Sequence, residues 1–262
     1  GRAWVGVTSQ EDIDAVLGDV IASKANDFSK IQGRFRRLSL SSANVDEVIQ
    51  KRLLSKKDGA ASELKQLYRD KADIIKNQLA FSKTGMTFKA FTSEDDFAAV
   101  YPFAPYQFQL VQKIFESIRK AGATGLHLAK GERSMLDAFQ SAAKQISNEN
   151  LGVLVPLYRF YPAIESFLEG AIKATIDQSA SNKSLEPFDA KVLKTLFLIR
   201  YVEEIRGNLD NLITLFVDEI DADRRTIRDQ LEASLQRLEG QTLVNRNGED
   251  YFFLTNEERD IR

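Results

Sequence analysis

The sequence predicts a mainly α-helical chain with a small β content. Apolar residues recur three and four apart through most of its length, clusters of Gly, Pro, Ser and Asn separate those stretches, and strand-like runs are few and short. The 262 residues are 43% hydrophobic and include 17 Phe and 7 Tyr, enough apolar area for cores in one large or two to three small domains.

The elements follow in order. "AWVGVTSQEDIDAVLG" opens with a buried-type strand, Ala3 to Val7, that runs through Thr8-Ser9 into a helix around Asp12 to Leu17, with Ser9 and Asp12 as a capping-box variant. Such a strand needs parallel neighbours and none precedes it, so the chain is expected to be a piece of something longer. Residues 38 to 40 suit a second short strand. Asn44 is an N-cap for a helix with Val45, Val48, Ile49 and Leu53 on one face, ended by Lys56-Lys57-Asp58-Gly59. Residues 61 to 80 keep Leu64, Leu67, Tyr68, Ile75 and Leu79 in a highly charged helix, expected as a protruding arm inserted at about 56 to 90. In "YPFAPYQFQLVQKIFESIRK", Pro102 and Pro105 set an extended entry to a helix carrying Phe108, Val111, Ile114, Phe115 and Ile118.

A Gly-rich loop, "AGATGLHLAKGERS", leads to a helix at about 132 to 146, and a helix pair fits 156 to 180. "SASNKS", 179 to 184, is the linker candidate. Asp189 can cap a helix reaching Tyr201, Gly207-Asn208 starts another to about Glu219, and Asp223 starts a third ending near Gly240. "TLVNRNGEDYFFLT" then places Asn247-Gly248 between two strand-like runs, a strong hairpin signal. Three helices followed by a hairpin is the order of a winged-helix domain.

Composition removes several classes. With no Cys there is neither a disulfide framework nor a thiolate metal site, which fits a cytoplasmic protein. The single His, His127, makes a zinc enzyme improbable, and a loop histidine is the plain reading. No apolar run is long enough to span a membrane, and "GRAWVGVTSQ" reads as neither signal nor transit peptide. The net charge of −2 hides an asymmetry: residues 24 to 90 hold fifteen Lys and Arg against seven Asp and Glu, whereas residues 201 to 262 hold eight against fifteen. The acidic end is a poor start for DNA binding. Asp218, Glu219, Asp221 and Asp223 read as solvated capping carboxylates, not metal ligands.

Several local patterns resemble one superfamily. "VGVTSQED" looks like the AAA+ strand that ends in a polar sensor residue. "IQGRFRRLSLSSANVDEVIQKRLL" resembles the joint where an arginine finger precedes the helical lid. "GERSMLDAF", 131 to 139, is similar to the lid pattern G-N-x-R-x-L-x-x-x-L, although its Arg lies one residue closer to the Gly and Phe139 stands for the last Leu. A winged helix after the lid is what the initiator-like branch has. The wording is closer still to the large P-loop ATPases of bacteriophage-exclusion (BREX) systems, the BrxC/PglY type. That likeness lies in the joint itself, "RSMLDAFQSAAK", "VPLYRFYPAIESFL" and "DEIDADRRTIRDQLEASLQRLE…YFFLTNEERDI", and covers essentially the whole chain.

The resemblance implies three parts: the end of a nucleotide-binding core at 1–40, a helical lid with its inserted arm at 41–178, and a winged helix at 185–262. It implies a cytoplasmic anti-phage ATPase using ATP and Mg²⁺, with other copies of itself and other BREX components as partners. No G-x-x-x-x-G-K-[ST] occurs, so this stretch alone is expected to be inactive. Arg34 takes the arginine-finger position, acting on the γ-phosphate held by a neighbouring subunit, with Arg36 and Arg37 able to share the role. Thr8 takes the sensor position. Arg133 takes the sensor-2 position, contacting the phosphates of its own subunit's nucleotide. Plainer readings stand beside these: Arg34 as a structural ion pair, Thr8 and Ser9 as helix caps, Arg133 as a solvated first-turn residue.

Nucleic acid, if bound, falls to the basic segment, with Lys51, Arg52, Lys56, Lys57, Lys65 and Arg69 as candidates, joined by Lys71 and Lys76. Two rival functions remain: part of an initiator-like or signalling AAA+ ATPase, and a non-catalytic module that holds protein or DNA.

Overall fold

The computed structural model describes residues 45–57, 59–122, 132–168 and 170–260. They are mainly helical with one two-stranded sheet. The expected strands at 3–7 and 38–40, the first helix, the Asn44 cap and His127 lie outside these residues.

Helix α1, Val45–Arg52, has Asp46 and Glu47 in its first turn and Lys51 and Arg52 in its last, each sign complementing the helix dipole. Helix α2 is Ala60–Gln78, entered through Gly59 at φ 83, a left-handed value that suits glycine. This is the charged stretch expected to protrude, and it does not. Leu64, Ile75 and Gln78 are buried, and Leu64 and Ile75 share a small core with Phe97 and Ala98 and with Leu154, Val217 and Ile220. Tyr68 lies 5.3 Å from the Phe97 ring, and Phe91 lies 5.0 Å from the same ring. A charged outer face and a narrow apolar stripe are what a one-sided surface helix needs. Helix α3, Glu94–Val100, supplies Phe97 and is capped by Ser93, whose hydroxyl accepts from the Asp96 N–H at 3.1 Å.

Helix α4, Pro105–Lys120, buries Phe108, Val111, Ile114, Phe115 and Ile118 as its spacing predicts. Helix α5 is Glu132–Lys144. The helix pair expected over 156 to 180 is shorter at its start: a 3₁₀ turn at Leu157–Phe160, a one-turn helix α6 at Tyr161–Glu165, then α7 at Gly170–Ser181. The expected linker is the end of α7 and a tight turn, with the Ser184 N–H donating to Asn182 Oδ1 at 2.9 Å. Ser179 within it is buried.

Helix α8, Pro187–Ile199, starts two residues before Asp189. Asp189 sits in the first turn and reaches back, accepting from the Glu186 N–H at 2.8 Å. Helix α9, Leu209–Phe216, is capped by Asn208, and α10, Arg224–Gly240, by Asp223. Helix α9 stops three residues before the expected Glu219 because residues 218–220 pair with 152–154 instead: the Leu154 N–H donates to Asp218 O at 2.7 Å and the Ile220 N–H to Gly152 O at 2.9 Å.

Strands β1, Val244–Asn247, and β2, Asp250–Phe253, pair antiparallel with Asn247 opposite Asp250. The hairpin loop is therefore Gly248-Glu249, one residue beyond the Asn-Gly step, and Gly248 at φ 62 supplies the left-handed turn. The other edge of β2 is also occupied: the Tyr251 N–H donates to Gly207 O at 3.0 Å, and Asn208 bridges Asp250. A short helix α11, Asn256–Asp260, follows.

One buried cluster runs from Ile49 through α4, α5 and α8–α10 to Phe253. Its centre is aromatic, with Phe139 4.5 Å from Phe108, 4.7 Å from Phe103 and 5.0 Å from Phe160. No helix among the described residues is long and apolar enough to cross a membrane.

Candidate functional site

Of the residues singled out for phosphoryl-transfer chemistry, Arg34 and Thr8 lie outside the described residues. Arg133 falls in the first turn of α5, and the two residues after it, Ser134 and Met135, are buried against the core. The helix N-terminus thus places Arg133 where free backbone N–H groups gather, the part of a helix that tolerates negative charge.

The basic candidates are all described apart from their link at Asp58, and most are already engaged. Lys51 pairs with Glu47 one turn back on α1 at 2.5 Å. Lys65 meets Asp95 at 2.5 Å, and Arg69 meets Glu94 at 2.6 Å while also donating to Gln66 Oε1 at 2.8 Å. Lys71 pairs with Asp221. The acidic first turn of α3 therefore sits directly against the basic face of α2. Lys56 is half-buried and donates to Leu54 O at 2.6 Å, and burial pulls its ammonium down to about 8. Arg52 and Lys57 are exposed. A phosphate approaching this face would have to displace carboxylates or rely on Arg52, Lys57 and Lys76, which is also exposed.

Helix α10 carries arginines in the same condition. Arg224 donates to Gln78 O at 2.9 Å, Arg228 to Asp210 at 2.7 Å, and Arg237 to the buried Asp189 at 2.7 and 2.8 Å. Its outward residues include Asp229 and Glu232 beside Arg225, so the exposed face is mixed in sign.

A groove of about 710 Å³ lies between the end of α4, the turn after α8, and β2. Its charges are matched internally: Lys113 with Glu204 at 2.8 Å and Arg206 with Asp250 at 3.9 Å, while Arg200 at its edge meets Glu258 at 2.6 Å and the Phe253 carbonyl. Lys120, Glu116 and Glu203 also line it, so the lining is mixed in sign and not a basic cradle for a phosphate. Among the described residues no group of His, Asp and Glu is arranged to hold a metal ion.

Sequence reasoning missed the Asp189–Arg237 clasp and the Gln78 side chain, whose Nε2 donates to Ile220 O at 3.0 Å and Ala222 O at 2.7 Å. Only the unusual placement of a glutamine on the apolar stripe of α2 hinted at the second. No protein-family profile matches the chain, and no solved structure matches it.

Proposed function

We propose that this chain is the lid and winged-helix portion of an AAA+-like ATPase of the BREX type, active in bacterial defence against phage. The observation that carries the reading is the arrangement around β2. A helix, a short extended segment at Gly207-Asn208, two helices and a hairpin follow in that order, with the extended segment and β1 on opposite edges of β2. That order and pairing are those a winged helix requires, and the sequence likeness extends across all the parts named above.

In this reading the ATP phosphates are held mainly by a P-loop outside these 262 residues, and Mg²⁺ by that loop's partners. Arg133 adds a guanidinium from the first turn of α5, so that lid position depends on the nucleotide bound. Arg34 reaches a neighbouring subunit's γ-phosphate, where a permanently charged fork stabilises the charge that develops as phosphate is transferred. Thr8 orients the attacking water. The winged helix and helix α2 hold the lid to neighbouring protein, because most of their cations are matched within the chain.

The test is a steady-state ATPase assay of the intact enzyme with and without Arg34→Ala. The expected outcome is a loss of turnover of roughly 10³-fold with ATP binding retained. Wild-type activity should also rise with protein concentration as subunits meet. An unchanged rate would make Arg34 a structural residue and remove the shared active site.

A further inference from the structure

The corner between α9 and α10 holds a pocket of about 430 Å³ that none of the roles above uses. Its wall is aromatic. Phe216, at the end of α9, lies 5.2 Å from Phe188 on α8 and 5.5 Å from Tyr158 on the 3₁₀ turn. Ile227 completes the apolar side.

Its rim is acidic. Asp218 and Glu219 occupy the turn after α9, and Asp223 begins α10. The turn is fixed rather than loose, because residues 218–220 are zipped to 152–154 by the hydrogen bonds described above. Asp223 is committed to capping, accepting from the Arg225 N–H at 2.9 Å and from Thr226 Oγ1 at 2.8 Å. Asp218 and Glu219 are different. Two nearby carboxylates meet cations, Asp210 with Arg228 and Asp221 with Lys71. Asp218 and Glu219 have no ion pair among the described residues. The one ammonium in the lining, Lys191, stands over the Tyr158 ring at 5.2 Å, and Arg159 lies 5.5 Å from that ring's centroid. Tyr158 is therefore already served, and the two carboxylates beside the cavity are not.

We propose that this pocket receives the arginine side chain of a partner protein. An apolar wall takes the methylene stem, Phe188 offers an aromatic surface to the guanidinium, and two exposed carboxylates carried on the fixed turn meet its N–H groups. The planar, weakly hydrated guanidinium suits that combination better than a compact ammonium. A nucleic acid is the wrong partner, since its phosphates would face Asp218, Glu219 and Asp223 at close range. This assignment rests on the pocket alone and holds whether or not the chain belongs to an ATPase.

The test is ¹⁵N NMR titration of the 262-residue chain with acetyl-Gly-Arg-Gly-amide, with the citrulline peptide as the uncharged isostere. Shifts should saturate at amides between Phe216 and Thr226 for the arginine peptide and stay absent for citrulline. The exposed double variant Asp218→Asn, Glu219→Gln keeps the fold and should weaken binding roughly tenfold, as the loss of charge-assisted hydrogen bonds requires. Equal binding of citrulline, undiminished binding by the double variant, or no saturable shift would each overturn the proposal. So would single-stranded DNA shifting the same amides, which would reassign the corner to nucleic acid.

Discussion

Asp189 is the residue whose surroundings differ most from its sequence role. Its position before an apolar run marks it as a capping residue, and it does cap, but its side chain is fully buried and ion-paired to Arg237, 48 residues later. Burial pushes the carboxyl up, and the hydrogen bonds from Arg237 and the Glu186 N–H more than reverse this, leaving it below the ordinary 3.8. Replacing Arg237 with Ala strands a buried carboxylate, so urea unfolding at pH 7 should show a loss of about 3 kcal/mol. A carboxyl depressed on folding contributes stability above its unfolded value and loses it as pH falls through the folded value. The gap between wild type and Arg237→Ala should therefore narrow below about pH 4. Lys56 offers a second check: competitive labelling with acetic anhydride should titrate with a midpoint near 8, far below an ordinary lysine at 10.5. Neither property was legible in the sequence. A cap is a local pattern, whereas a salt bridge across 48 residues and the burial of one lysine depend on which elements meet.

Helix limits followed from the sequence wherever a cap or a turn residue set them. Asn208, Asp223 and the Pro105 entry are such cases: the two caps accept from orphan N–H groups a few residues away, and Pro105 has no such N–H to satisfy. Helix α2 shows what that reasoning lacks. Its periodic stripe was visible, but charge density suggested a solvated arm, and nothing local names Phe97 or Ile220 as the surfaces that cover it. The difference is measurable. Ile75 is 1% exposed, so Ile75→Ala should cost about 2–5 kcal/mol, against less than about 0.5 kcal/mol for a residue on a free arm. Gly207 is a similar case within the sheet. A Cβ there would drive into the Tyr251 carbonyl, so Gly207→Ala should separate the extended segment from β2 and cost about 2 kcal/mol in thermal or urea melts. The Asn-Gly step announced the hairpin correctly but misplaced its loop by one residue, since register is decided by pairing across the strands.

Across the whole molecule, one core contains residues from both sides of the expected linker at 179–184, and α7 and α8 both contribute to it. Unfolding should then be a single transition: far-UV circular dichroism and near-UV tyrosine signals should coincide in urea, and two separated steps would mean that the halves are independent. The same scale explains why the basic segment misleads. Its excess of cations is real in the sequence, yet the carboxylates of α3 and the α9–α10 turn are brought against it by folding. A gel-shift with a 20-base-pair duplex at about 0.15 M salt should accordingly show no retention by the chain. The bonds from Gln78 to Ile220 and Ala222 carry one more implication, for biosynthesis. They join residues 142 and 144 apart, so α2 leaves the ribosome with Phe97 and Ala98 close behind but long before the Val217–Ala222 part of its covering surface exists. At a synthesis rate of about 5–20 residues per second, Ile75 and its neighbours wait roughly 7–30 s without that partner. During that interval the nascent chain presents an apolar stripe that a chaperone can hold and a second nascent chain can capture.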